Sequence, residues 1–237
     1  MKKVNLISLL ILASLIISLS SCINCVEPEG EIKDLTVKLD DFTKIDIEIP
    51  GNIRLIKGDS SKITISAPKS IISQILPIVK RNRLNLAGNI CKANNEQITI
   101  EITVKDISSI KIKGSANVFS DESIHSDELL LKILGSGQIS LNVFTNIIES
   151  ETNGSGSIIL SGTSKQLEVD INGSGVFKGL ALNAYEAKVK INGSGNASVA
   201  ALNKLSAKVN GSGEIVYSGS PELRLDISGS GKITKVN

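Results

Sequence analysis

The residues with chemistry to offer are few and unevenly placed. The chain carries a single histidine, His125, in the run Ser123-Ile124-His125-Ser126-Asp127-Glu128. A histidine beside two carboxylates could transfer protons or bind a metal, but a zinc site wants further His or Cys ligands, and none is near in sequence. The ordinary reading of such a run is a solvated loop. Adjacent carboxylates also occur at Asp40-Asp41, Asp121-Glu122 and Asp127-Glu128. A carboxylate pair across a sugar ring is what glycoside hydrolysis needs, so these three qualify by type alone. Serines follow glycine at regular intervals from Ser115 to Ser230. A nucleophile elbow requires Gly-x-Ser-x-Gly, whereas the order here is Gly-Ser-Gly, and no base could serve all the copies. The last copy, Gly229-Ser230-Gly231-Lys232, imitates a phosphate loop only in part. Asp226 stands where that loop needs its first glycine, and Ile233 stands where Ser or Thr must follow the lysine. Calcium-binding β-roll repeats are excluded too, because they need a nine-residue period with aspartate in each turn.

What positions these residues is a repeat. Gly114-Ser115-Ala116 is followed by Gly135-Ser136-Gly137, Gly154-Ser155-Gly156, Gly173-Ser174-Gly175, Gly193-Ser194-Gly195, Gly211-Ser212-Gly213 and Gly229-Ser230-Gly231, at separations of 21, 19, 19, 20, 18 and 18 residues. Before each corner the sequence alternates, as in Leu167, Val169, Ile171 or Leu223, Leu225, Ile227, which is the period of a strand with one buried face. Four residues past the first glycine an apolar residue returns at Val118, Ile139, Ile158, Phe177, Ala197, Ile215 and Ile233. An antiparallel meander would place alternate turns at opposite ends and gives no reason for every unit to repeat one order. A coil of about 19 residues, stacked at the ~4.8 Å strand spacing, sets each residue above its counterpart. The expected fold is therefore all-β, a parallel β-helix with an aliphatic core and glycine at its corners.

Stacking converts sequence columns into ladders. Asn153, Asn172, Asn192 and Asn210 precede successive corners, and Ser155, Ser174, Ser194 and Ser212 occupy them. Amides in such a column can hydrogen-bond from coil to coil. The column is expected to be a structural ladder, with a polar ligand groove along that edge as the sharper alternative. On the outward face Lys111, Lys132, Glu151, Asp170, Lys190, Lys208 and Asp226 form a column of mixed sign, which offers no one-sign track for a polyanion. Phe119, Phe144, Phe177 and Tyr217 fall at different positions of the unit, so no row of aromatics is expected for stacking sugars.

At the start, Lys2 and Lys3 lead into the apolar run from Leu6 to Leu19, which closes on Leu19-Ser20-Ser21-Cys22. The run is short for a membrane span and has the charged, apolar and small-residue order of a secretory signal. The tetrad resembles the bacterial lipobox, which implies cleavage after residue 21 and a mature chain lipidated at Cys22 and held by its acyl chains. The 26 basic and 24 acidic residues balance once Lys2 and Lys3 are removed, so no general attraction to nucleic acid is expected. Residues 22–41 carry Glu27-Pro28-Glu29-Gly30-Glu31 and read as a tether lifting the body off the membrane. Cys25 lies in it. In an oxidising envelope Cys25 and Cys91 could pair and pin that tether; otherwise Cys91 is a partly buried loop thiol. From Phe42, strands are expected around Ile45–Ile49, Ile53–Leu55, Ile63–Ile65, Ile98–Ile102 and Ile110–Ile112. Lys69 to Lys80 has helical spacing, limited to its first part by Pro77, and Ile78 to Leu86 could equally be a hairpin around Arg81-Asn82.

Phe42-Thr43-Lys44-Ile45, Asn52-Ile53-Arg54-Leu55-Ile56-Lys57-Gly58-Asp59 and the serial Gly-Ser-Gly units resemble the head GIN domain family of auto-transporter adhesin-like proteins, common among Bacteroidetes lipoproteins. The resemblance covers nearly everything after Asp41. It implies a right-handed β-helical domain in two segments, 42–112 and 113–237, exposed in the cell envelope, with no family catalytic residue to carry over. Gly114-Ser115-Ala116 departs from the unit, which points to a less regular coil at the junction. The resulting expectation is a lipid-anchored, non-enzymatic binding or adhesion module, without cofactor or metal, on either face of the outer membrane, with a glycan or protein ligand. A scaffold associating through open β-helix ends is the second reading, because the strand after Gly231 is an edge guarded only by Lys232 and Lys235. A polysaccharide-processing enzyme is the third; its cleft would need long irregular loops, and these coils are short and uniform.

Overall fold

The computed structural model describes residues 25–91 and 95–236. The signal segment and the lipidation position Cys22 lie outside the described residues. In chain order the elements are β1 (Ile32–Lys38), β2 (Lys44–Ile47), β3 (Asn52–Lys57), β4 (Lys62–Pro68), α1 (Lys69–Ile72), β5 (Leu76–Lys80), β6 (Arg83–Ala87), β7 (Thr99–Val104), β8 (Ser109–Gly114) and β9 (Asn117–Ser120). The regular half follows as β10 (Ile124–Gly135), β11 (Gln138–Gly154), β12 (Ser157–Gly173), β13 (Val176–Gly193), β14 (Asn196–Gly211), β15 (Glu214–Ser218), β16 (Glu222–Gly229) and β17 (Lys232–Lys235). Every pairing from β8 onward is parallel, and the chain is a β-solenoid of roughly 19-residue spacing.

Parallel in-register stacking follows from the equal lengths of the units. Leu84, Ile45, Ile110, Leu131, Ser150, Val169, Val189, Ala207 and Leu225 stack in one inward column, each the register partner of the next. The order of that column corrects a simple serial picture. β2 pairs on one side with β6 and on the other with β8, and β3 lies likewise between β7 and β9. The first coil of the chain is thus inserted between a later one and the start of the repeat. Outside that layer β4 lies antiparallel on β7, with β1 antiparallel on β4, and the β5–β6 hairpin closes the other face. Ile63, Ile65, Ala67, Ile71 and Ile75, which belong to this cap, are buried in the common core. Each fully buried aliphatic side chain of this kind contributes about 1.5–3 kcal/mol.

The corners explain the glycines. Gly193 has φ +133°, and a Cβ there would lie 2.4 Å from the Gly173 carbonyl oxygen of the coil before it. Gly195 has no such φ, yet its Cβ would meet the Ile171 Cγ2 at 2.6 Å and the Gly175 oxygen at 2.7 Å. One glycine is required by conformation and closeness together, the other by closeness alone. Ala116 in the first corner is fully buried.

Residues 25–41 are not the free tether expected of 22–41; residues 22–24 lie outside the described residues. Ile32–Lys38 is the outermost strand of the cap, paired along its length with Lys62–Pro68. Ahead of it, the Val26 N–H donates to the Asn89 carbonyl, and the Cys91 N–H to the Val26 carbonyl, each at 2.9 Å. Ser70 accepts from the Glu29 N–H at 2.8 Å and donates to the Glu27 carbonyl at 2.9 Å. Cys25 and Cys91 form a disulfide with Cα atoms 5.1 Å apart. The segment is exposed on most of its surface; backbone hydrogen bonds and the disulfide hold it in place, with Val26, Val37 and Leu39 packed partly buried against the core. The helix and hairpin alternatives for residues 69–86 are both realised in succession: α1 is one turn, and Arg81 and Asn82 take positive φ in the turn joining β5 to β6.

Candidate functional site

The corner column divides into two kinds of residue. Asn192 donates its amide to the Asn172 Oδ1 and Asn210 donates to the Asn192 Oδ1, each at 2.8 Å. Asn153 does not continue this chain of amides; it donates instead to Glu151 Oε1 at 2.5 Å. The serines act through their backbones. The N–H groups of Ser155, Ser174, Ser194 and Ser212 donate to the carbonyls of Gly135, Gly154, Gly173 and Gly193, at 2.9–3.0 Å. Their side chains are exposed.

On the outward face the expected charged column is in register from Lys111 to Asp226. Lys132 bonds Glu151 at 2.5 Å and Lys208 bonds Asp226 at 2.6 Å, while Lys190 and Lys208 stack as like charges. The Lys132 ammonium holds the Glu151 carboxyl below its ordinary range, burial opposes this, and the Asn153 amide adds to it. Lys188 is raised by its hydrogen bond to Glu168, and Lys113 by its bond to Glu48. The carboxylates singled out by type do not converge. Asp41 accepts from the Ser61 hydroxyl at 2.9 Å. Asp121 bonds Arg54 at 2.5 Å, and that contact is the main reason the guanidinium is raised. Among the described residues no three His, Cys, Asp or Glu side chains come together as a metal site.

The most distinctive surface lies where the inserted coil meets the repeat. His125 and Phe144 are register partners on β10 and β11. Their rings stack with centroids 5.1 Å apart and planes 10° from parallel, and Phe144 is 40% exposed. The pair sits in a groove of about 810 Å³ lined also by Thr43, Asp106, Ser108, Asp127, Asn146 and Thr163. Asn146 donates to Asp127 at 3.1 Å, and Thr145 donates to Ser164 at 3.2 Å. A flat ring surface flanked by carboxylates, hydroxyls and an amide fits a ligand with both apolar C–H faces and hydroxyl groups. The sequence contained the signal for this pair: 144 and 125 differ by 19, one coil length, so a histidine and a phenylalanine at different places in the chain had to stack. A row of phenylalanines and tyrosines does not reveal it, because only one of the two rings is a phenylalanine.

The stacked, in-register coils place the molecule among the parallel β-solenoid proteins, in which each repeat packs only on its neighbours. The chain belongs to the family described as "Putative auto-transporter adhesin, head GIN domain", whose model matches residues 41–221. Among solved structures, a Bacteroides fragilis protein described as a "putative adhesin" is 26% identical, with a TM-score of 0.84 over 89% of this chain and 99% of its own. A "putative adhesin" from Parabacteroides distasonis, 22% identical over 90% of this chain and 100% of its own with a TM-score of 0.74, shares the fold. So does one from Parabacteroides merdae, 20% identical over the same shares with a TM-score of 0.69. No curated protein matches the sequence.

Proposed function

We propose that this protein is a lipid-anchored envelope binding module whose junction groove takes a glycan, with the His125–Phe144 stack as the platform for a sugar face. The stack is the observation that carries the reading. It presents two nearly parallel rings to solvent in a concave surface whose remaining lining is polar apart from Ile107. Membership of an adhesin family and the Leu19-Ser20-Ser21-Cys22 tetrad support the cellular setting. The groove carries Asp106, Asp127 and Glu128, which favours neutral or amino sugars over sulfated or uronic ones, since a like charge close to a carboxylate is destabilising.

The test is a glycan array probed with the purified protein and with Phe144→Ala. Saturable binding to neutral or amino glycans that falls at least tenfold in the variant is the expected result. Binding that is unchanged by the substitution would remove the groove from the proposal, and uniform silence across the array would remove the glycan. For the anchor, Cys22→Ala is expected to release the protein from the membrane fraction. Retention there would refute lipidation at that residue.

A further inference from the structure

Among the described residues, the coil of β16 and β17 has its core side uncovered. Leu223, Leu225 and Ile227 are 43%, 45% and 47% exposed, whereas Leu205, Ala207 and Val209 in the coil before them are at most 1% exposed. β16 is hydrogen-bonded to β14 alone and β17 to β15 alone among the described residues. The last coil therefore presents an edge strand with three unburied aliphatic side chains in a row, a surface that proteins usually protect or pair. Next to them stands Arg224, which has no bonding partner among the described residues, while Asp226 is held on one side by Lys208 at 2.6 Å.

We infer that this open end docks on the open end of a second copy of the chain, β16 lying antiparallel on its counterpart about a two-fold axis through Leu225. The side-chain order selects both partner and register. With Leu225 opposite Leu225 of the second copy, Leu223 faces Ile227, Arg224 faces Asp226 and Glu222 faces Ser228. Every apolar residue meets an apolar one on the core side, and the unpaired guanidinium meets a carboxylate on the outer side. A shift centred on Arg224 would set arginine on arginine and Glu222 on Asp226. A shift centred on Asp226 would set aspartate on aspartate. A one-residue slip would turn the leucines against charged residues. Among registers that overlap the strand along nearly all its length, only the Leu225-centred one avoids like charges and keeps the two cores continuous. The contact is isologous and closes after two copies, so it yields dimers and not fibres. It also sets the capped ends, with Cys25, at opposite ends of the pair.

The experiment is sedimentation velocity of the full-length chain solubilised in detergent, as wild type, Arg224→Asp, Asp226→Arg and an equimolar mixture of the two variants. The wild type is expected to dimerise, and each variant to dimerise at least tenfold more weakly, because each meets its own like charge across the axis. The mixture is expected to regain the dimer as a heterodimer. One variant then carries acid at both positions and the other carries base at both, so each facing pair across the axis is again of opposite sign. A charge change that merely damaged the coil would not be rescued by mixing. Leu225→Cys supplies the register test: direct opposition brings the Cβ atoms to about 4.5–5.5 Å, so mild oxidation should cross-link it readily, and Leu223→Cys, whose counterpart is Ile227, should not. A monomeric wild type, or a mixture that stays monomeric, overturns the inference.

Discussion

Leu84 and Leu225 occupy the first and last places of one core column, the same residue type in the same strand position. Leu84 is fully buried and Leu225 is 45% exposed. The difference lies in what the chain places beyond each. Beyond Leu84 comes Val79 in the β5 strand of the hairpin, and at the same end β4 and then β1 cover β7, with a disulfide tying down the segment before β1. Beyond Leu225 the described residues place nothing. A solenoid coil cannot bury its own interior from below, so a stack of identical units always leaves one coil's worth of apolar surface at each end. Here non-repetitive chain seals one end, and at the other the described residues add nothing to the repeat.

The disulfide is the strongest lever on that contrast. Cys25 and Cys91 enclose 66 residues of separation that include β1 to β6, and cross-linking a loop of that length is worth about 4 kcal/mol in the chain-entropy limit. Cys91→Ser is expected to lower the unfolding free energy by about 2–4 kcal/mol, read from denaturant midpoints, and to raise hydrogen exchange in β1 while leaving β16 unchanged. A uniform rise across both ends would mean that the cap and the repeat unfold as one unit. Next in size comes the column itself. Leu84→Ala removes a fully enclosed side chain and is expected to cost about 3 kcal/mol, whereas Leu225→Ala, measured on dilute monomer, is expected to cost less than about 1. Equal costs would show that the last coil is covered in solution by something other than a second copy.

The repeat half was legible because its information is local: period, alternation and corner glycines lie within about 19 residues of one another, and equal unit lengths force the stacking. The Lys111 to Asp226 column follows from the repeat spacing alone, and the register reproduces it. The cap was not legible for the opposite reason. Inserting β2 between β6 and β8, and β3 between β7 and β9, depends on contacts over 47 and 65 positions of separation, as between Arg54 and Glu101 or Asn52 and Asn117, and no local pattern encodes such an order. β1 escaped because an edge strand that is exposed over most of its surface carries almost no burial signal. The amide ladder runs in the expected column over a shorter extent. Asn153 turns to Glu151, the carboxylate two residues before it; the same place holds Asp170, a carboxylate one methylene shorter, in the next coil and Lys190, which accepts nothing, in the one after.

The smallest effect tests whether the outer face follows the same rule as the core, with interior layers more firmly held than terminal ones. Lys132 and Glu151 sit in the middle of the stack with side chains 27% and 33% exposed, and Lys208 and Asp226 at its end are 47% and 57% exposed. Exposed pairs contribute at most about 1 kcal/mol, less as exposure rises. Lys132→Met is therefore expected to cost up to about 1 kcal/mol at neutral pH, and Lys208→Met close to nothing in the monomer. The pH dependence identifies the cause. Because the folded-state pKa of Glu151 is depressed, chiefly by Lys132, its contribution is present above the unfolded carboxylate value and is lost as pH falls through the folded one. The stability difference between wild type and Lys132→Met should be constant through neutral pH and shrink across the acid range below about pH 4.5. A difference that persists undiminished in acid would mean that the lysine acts through its aliphatic stem packed along the strand and not through its charge.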